Sequence, residues 1–167
     1  MHQRILAGVE RQGGLKAKLF HRALALGIKH YEDPASLGLG ERVMHRLLDR
    51  LVRDKVRARF GGRLKAMVSG GAPLNPEIGL FFTALGVRIL QGYGLTECGP
   101  VANCNPPPRV KIRTVGPVIH GVELRLAEDG EILIRGENLM QGYWGLPELS
   151  AQTVRDGWLY TGDIGML

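Results

Sequence analysis

At 167 residues the chain can form one domain with its own core, or a slice of something larger. Its 22 Lys/Arg against 16 Asp/Glu leave a net charge of +6, and no apolar run approaches the ~20 residues a membrane span needs. Two cysteines, Cys98 and Cys104, are too few and wrongly spaced for a zinc site or a disulfide framework. The charged start, Met1-His2-Gln3-Arg4, is not an apolar signal core, so a cytoplasmic chain with free thiols is expected.

Residues 1–65 hold 15 Lys/Arg against 6 Asp/Glu, a net +9, and the remainder carries −3. They read as helices. Ile5, Leu6 and Val9 share a face before Gly13-Gly14, and Leu15, Leu19, Phe20, Leu24 and Ile28 form a second stripe. Residues 32–40, with Pro34, read as a loop. Val43, Met44, Leu47, Leu48, Leu51, Val52 and Val56 then recur at three and four, with charges on the other face and Gly61-Gly62 as the stop. The five histidines have no metal spacing and read as surface residues.

From Leu64 the pattern changes. Residues 64–68 are short and apolar enough for a buried strand, followed by Ser69-Gly70-Gly71-Ala72-Pro73-Leu74. Asn75 is a good N-cap and Pro76 a good first helical residue, and Ile78, Phe81, Phe82 and Leu85 line one face. Gly86 ends that helix, and Val87-Arg88-Ile89-Leu90 is the next strand. Strand, helix, strand predicts a right-handed βαβ unit whose two exit turns share the carboxyl edge, where open α/β sheets bind ligands. Residues 98–117 are irregular. Residues 122–126 and 131–135 alternate at period two around Asp129-Gly130, a hairpin signal that opens a β-rich part. Residues 147–154 read as a short helix with Leu149 and Thr153 facing inward.

The second exit turn, Gln91-Gly92-Tyr93-Gly94-Leu95-Thr96-Glu97, holds the densest chemistry. Its glycines allow close backbone approach to phosphate and base, and Tyr93 supplies a stacking face. Thr96 can bond a phosphate oxygen, and Glu97 can give Mg²⁺ an oxygen ligand. A dinucleotide fingerprint fits poorly, because Glu97 stands where the third glycine belongs.

This stretch resembles the signature loop of adenylate-forming acyl-activating enzymes, and its wording is most similar to long-chain fatty acyl-CoA synthetases. Residues 69–74, Gly130-Glu131-Ile132-Leu133-Ile134-Arg135-Gly136 with Gly142-Tyr143-Trp144, and Trp158–Asp163 resemble further motifs of that family, in the right order. The implied fold class is α/β. It comprises a helical region (1–62), a βαβ nucleotide-binding portion (63–110) and the start of a β-rich, distorted-barrel subdomain (111–167).

The resemblance implies that Tyr93 stacks on adenine, with Gly71, Ala72 and Pro73 across the base and Gln91-Gly92 near its edge; Gly94 and Leu95 complete the nucleotide loop. Thr96 would bond the α-phosphate or acyl carboxylate, Glu97 would ligate Mg²⁺, and Asp163 would accept from both ribose hydroxyls. Trp158 and Tyr160 read as packing, and Cys98 as a core or loop thiol. The implied substrates are a fatty acid, ATP and coenzyme A. The family's phosphate loop and its lysine-bearing C-terminal domain have no counterpart here, so the 167 residues are expected to be a central slice that is inactive alone.

Other acyl lengths, aryl acids or amino acids are alternatives within the family. A basic module binding nucleic acid or membrane through residues 1–65 is the alternative of another class. Those bases lack interleaved aromatics, so solvated helical faces are the expectation, without nucleic acid. A weak peripheral attraction for anionic lipid would suit an enzyme of amphiphilic acids.

Overall fold

The computed structural model describes residues 2–167. They fall into two compact units, one running up to Val68 together with Leu74–Ile89, the other comprising Ser69–Pro73 and Leu90–Leu167.

The first unit is helical. Helices α1 (His2–Gln12) and α2 (Gly14–Glu32) are separated by Gly13, which like Gly14, the first residue of α2, takes a positive φ. Then come α3 (Leu39–Leu48), a π-helical stretch (Asp49–Arg53), α4 (Asp54–Arg59) and α5 (Pro76–Ala84). Asn75 caps α5 as its sequence requires, its side chain accepting from the Glu77 N–H at 2.8 Å. Phe20, Phe81, Phe82, Leu85, Val87 and Ile89 form the core, flanked by Ile5, Leu6, Val9 and Val56. Helices α2 and α5 meet at Gly27, where a Cβ would stand 2.3 Å from the Ala84 carbonyl oxygen. Only glycine fits that contact.

Two expectations for this unit are corrected. Val43, Met44, Leu47 and Leu51 are exposed, while Leu48 of the same stripe is buried. Periodicity identifies an apolar face but does not say whether anything covers it. Arg53, assigned to the outer face by its charge, is buried instead. Its guanidinium donates to the carbonyls of Ala84 (2.6 Å), Ala23 (2.8 Å) and His45 (3.1 Å). The Ala84 carbonyl belongs to the last turn of α5 and has no partner within its helix. A fixed fork of donors can satisfy three helices at once, which offsets the desolvation of one charge. The surface reading also misses that His30 and His45 pack ring against ring, with centroids 4.7 Å apart.

Strand β1 (Met67–Ser69) is shorter than residues 64–68 suggest, and Leu64 and Val68 are exposed. The Met67 N–H bonds the Arg88 carbonyl at 2.9 Å. Strand β2 is Ile89–Tyr93, and β3 (Asn103–Cys104), within the stretch read as irregular, pairs with it antiparallel; the sheet order is β1-β2-β3.

In the second unit, β4 (Val122–Leu126) and β5 (Glu131–Gly136) make the expected hairpin. Helix α6 (Pro147–Thr153) follows, then β6 (Val154–Arg155) and β7 (Trp158–Ile164). The order is β4-β5-β7-β6, all antiparallel. This sheet is open, with β4 and β6 at its edges, rather than closed into a barrel. Asp156 and Gly157, both at positive φ, join β6 to β7 as a two-residue hairpin turn demands. Cys98, Ala102, Val122, Ile134 and Leu159 form the core. Trp158 is buried beneath the guanidinium groups of Arg125 and Arg135 and acts in packing, as its sequence context suggests. Leu149 is exposed rather than inward-facing.

Candidate functional site

All of the candidate nucleotide residues fall within the second unit. Strand β2 continues through Tyr93, so Gln91-Gly92-Tyr93 is strand rather than turn. The cause is the return strand β3, which sets Gly92 opposite Cys104 and Tyr93 opposite Asn103. Pairing alone does not demand the two glycines; crowding does. A Cβ on Gly92 would lie 2.9 Å from the Asn103 carbonyl oxygen, and one on Gly94 would lie 2.2 Å from that of Pro100. The space beside both glycines is therefore filled by the chain's own return segment.

Asn105 secures that segment. It is buried, its backbone N–H donates to the Gln91 carbonyl at 2.9 Å, and its side-chain amide bonds the backbone of Lys111 and Thr114. Gly71, Ala72 and Pro73 are exposed in the turn leaving β1. That turn runs beside β2: a Cβ on Gly70 would stand 3.8 Å from the Gly92 carbonyl oxygen. Among the described residues no hydrogen bond joins Gly71, Ala72 or Pro73 to Tyr93 or Asp163.

Tyr93 and Asp163 do meet. The phenol donates to Asp163 Oδ2 at 2.7 Å. Burial first, and this bond second, push the Tyr93 phenol pKa well up. Gly162, at φ +73°, turns β7 so that its N–H reaches Glu131 Oε1 (2.8 Å), while Asp163 N–H reaches Thr161 Oγ1 (3.1 Å). Thr161 in turn donates to the Ile132 carbonyl at 2.7 Å. The aspartate is exposed on a backbone held from two sides.

Beyond Leu95, Thr96–Cys98 is a single 3-10 turn. Thr96 is exposed, and its hydroxyl makes no hydrogen bond among the described residues. Cys98 is fully buried, with Sγ bonded to the Leu95 backbone, and burial raises its thiol pKa. That environment suits a packing thiol and opposes a thiolate nucleophile. Glu97, half-buried, accepts the Tyr143 phenol on Oε1 at 2.8 Å, and its carbonyl accepts Met140 N–H at 2.8 Å. Asn138 Nδ2 donates to the carbonyls of Cys98 (2.7 Å) and Val101 (3.2 Å). Residues 138–143 thus brace the turn that carries Thr96 and Glu97. Sequence reasoning did not count Tyr143 as a site residue, although Gly142-Tyr143-Trp144 was the available signal.

Residues 28–144 match the family model described as AMP-binding enzyme. The chain belongs to that family. As an AMP-binding enzyme it is 40% identical over 152 residues to the long-chain-fatty-acid–CoA ligase FadD15 of Mycobacterium bovis, covering 90% of this chain and 25% of that protein. Among solved structures, apo MatB from Rhodopseudomonas palustris superposes with a TM-score of 0.59 at 28% identity, over 74% of this chain and 26% of that one. The anthranilate CoA ligase AuaEII, in complex with anthranoyl-AMP, superposes with a TM-score of 0.54 at 32% identity, over 57% and 21%. The chain spans about a quarter of the length of the curated relatives it matches.

Among the described residues no three His, Cys, Asp or Glu side chains gather as a metal site, and no helix is long and apolar enough to cross a membrane. A cavity of about 510 Å³ among the helices of the first unit is lined by Val9, Phe20, Val52 and Phe60, and by none of the candidate nucleotide residues.

Proposed function

We propose that this chain is the adenylate-binding part of a long-chain fatty acid–CoA ligase. In this reading Tyr93 offers its ring to adenine, Asp163 accepts from the ribose hydroxyls, and Thr96 bonds the α-phosphate. Gly71, Ala72 and Pro73 face the base from the turn after β1, with Gln91, Gly92, Gly94 and Leu95 forming the loop wall. The carrying observation is the 2.7 Å bond that joins the Tyr93 phenol to Asp163. It sets an aromatic face beside a carboxylate, the pair a nucleoside needs for its base and its vicinal diol.

The donor set also fits Mg²⁺. This ion dehydrates reluctantly and is held by one or two carboxylates together with substrate phosphates. Glu97 is such a carboxylate, with one oxygen engaged by Tyr143 and the other without a hydrogen bond among the described residues. Mg²⁺ would neutralise charge on the phosphate oxygens. Thr96, one residue away and with a hydroxyl that makes no hydrogen bond among the described residues, would orient the same phosphate.

The reaction is a two-step transfer. A fatty carboxylate attacks the α-phosphorus of ATP and pyrophosphate leaves; the thiol of coenzyme A then attacks the acyl carbon and AMP leaves. Both steps build negative charge on oxygen, which donors preorganised in the site stabilise. Support for long-chain acids comes from the mycobacterial relative, whose name is that of a long-chain ligase, and from the wording of Gln91–Glu97. A cytoplasmic enzyme resting weakly on anionic membrane through its basic residues 1–65 is part of the same proposal.

The test is ATP–pyrophosphate exchange by the complete polypeptide that carries this chain, driven in turn by palmitate, acetate, benzoate and amino acids. Exchange with palmitate, lost in Asp163→Ala, supports the proposal. Exchange with the short, aryl or amino acids alone would overturn the long-chain assignment. No exchange, with steeply salt-dependent retention of DNA instead, would overturn the enzyme reading.

A further inference from the structure

We infer that Tyr143 is a positioning residue for the Glu97 carboxylate, setting which oxygen is offered to a divalent cation. The inference rests on the proposed role of Glu97 and extends it to a residue outside the signature loop, 46 positions away.

Three observations carry it. First, the phenol donates to Glu97 Oε1 at 2.8 Å, so one carboxylate oxygen is engaged while Oε2 takes no hydrogen bond among the described residues. Second, Tyr143 is itself anchored. Its backbone N–H donates to Ser150 Oγ at 2.7 Å, and that hydroxyl donates to the Leu146 carbonyl at 2.8 Å, in the first turn of α6. A Cβ on Gly142 would stand 2.9 Å from Ser150 Oγ, so the residue before Tyr143 must be glycine for the serine to close this near. Third, the same segment grips the backbone of Glu97, through Met140 N–H to the Glu97 carbonyl at 2.8 Å. Main chain and side chain of one acid are thus held by a single stretch of four residues, 140–143.

The consequence is chemical. A half-buried glutamate on a single short turn has three side-chain torsions, and ordering them on cation binding costs free energy. A hydrogen bond to one oxygen removes part of that cost beforehand and favours ligation through the other. Partners that orient a ligand in this way typically change metal affinity 10–100-fold when removed. The neighbouring Trp144 is exposed, and no hydrogen bond joins it to Glu97 among the described residues.

The experiment is Mg²⁺ binding to the complete polypeptide that carries this chain, measured by calorimetric titration with a non-hydrolysable ATP analogue in place, alongside pyrophosphate exchange against Mg²⁺ concentration; half-saturation is read from both. Tyr143→Phe is expected to raise the half-saturating Mg²⁺ about tenfold. Most of the rate should return at saturating Mg²⁺, with the fatty acid KM unchanged. Glu97→Gln should weaken Mg²⁺ dependence on its own, and Tyr143→Phe should add nothing in that background. Ser150→Ala, which loosens the Tyr143 backbone and leaves Glu97 intact, should shift half-saturation in the same direction, and it decides the matter if the phenylalanine variant does not fold. A rate lowered equally at every Mg²⁺ concentration, or an unchanged half-saturation in the Tyr143 and Ser150 variants, would overturn the positioning role. Wild-type Mg²⁺ dependence in Glu97→Gln would instead overturn the cation assignment of Glu97 itself.

Discussion

The Tyr93 phenol and the Asp163 carboxylate share a 2.7 Å hydrogen bond across 70 positions of sequence. Burial first, and the carboxylate second, raise the phenol pKa, so Tyr93 remains a donor throughout the physiological pH range. The bond occupies one of the two oxygens on which the proposed ribose contact depends.

Changing Tyr93 and Asp163 should therefore separate ring from hydroxyl. Tyr93→Phe keeps the face and releases Asp163 Oδ2, so AMP affinity is expected to hold within about threefold. Asp163→Asn removes a charged acceptor worth about 1.5–3 kcal/mol, a loss of roughly tenfold or more. Tyr93→Ala removes the stacking face, worth about 1–3 kcal/mol. Calorimetric titration of the three variants with AMP checks the order.

Gly94→Ala should damage the loop without touching any chemical group. The added Cβ would stand 2.2 Å from the Pro100 carbonyl oxygen and 2.8 Å from Val101 Cα, both backbone atoms that cannot swing aside. Overpacking of this kind costs about 1–3 kcal/mol. The expected result is a lowered denaturation midpoint together with weakened AMP binding. An alanine at Gly40, in α3 with open space around it and no positive φ, should not lower the midpoint and should leave AMP binding unchanged.

Arg53→Met should be among the most damaging single changes in the helical unit. It leaves three carbonyls without the donors they now have, and the methionine offers none in return. A loss of about 3 kcal/mol or more is expected by urea denaturation. Arg53→Lys, with one compact ammonium in place of a planar fork, should recover only part of it.

Acidification should weaken the helical unit. Burial first, then the positive charges of Arg53 and His30, hold the His45 pKa below its ordinary 6.5, while Asp49 pulls it back up. The unfolded chain binds this proton more readily than the folded one, so stability is complete above pH 6.5 and falls as pH drops toward the folded value. Asp49, lowered by its bond to Arg57, adds a second loss on the far side of pH 3.8. His45→Gln is expected to flatten the first part of a stability–pH profile and leave the second.

Local signals were read best where local chemistry decides structure. The Asn75-Pro76 start of α5 follows from a side-chain cap and a preset φ, and the Asp129-Gly130 hairpin from a turn that needs positive φ. Asp156-Gly157 carries an equal signal, but only two strand residues precede it, too few to show the period-two alternation that marks a hairpin in sequence. Strand β3 had no such signal: Asn103-Cys104 is a strand because β2 lies beside it. The buried guanidinium of Arg53 was invisible for a related reason. An arginine is read as exposed unless the acceptors from α2, α3 and α5 can be seen to converge on it.

The amino-acid order by itself determined the helical start, the strand–helix–strand passage, the β hairpin and the family, since each depends on residues close together or on motifs in sequence. Tertiary structure alone decided that Tyr93 meets Asp163, that Tyr143 holds Glu97, and that the glycines of the signature loop make room for Asn103 and Pro100 rather than only for a ligand. Hydrogen bonds and steric contacts act over about 3 Å whatever the distance along the chain. Which distant groups come within that reach is set by the packing of the sheet and its return segment.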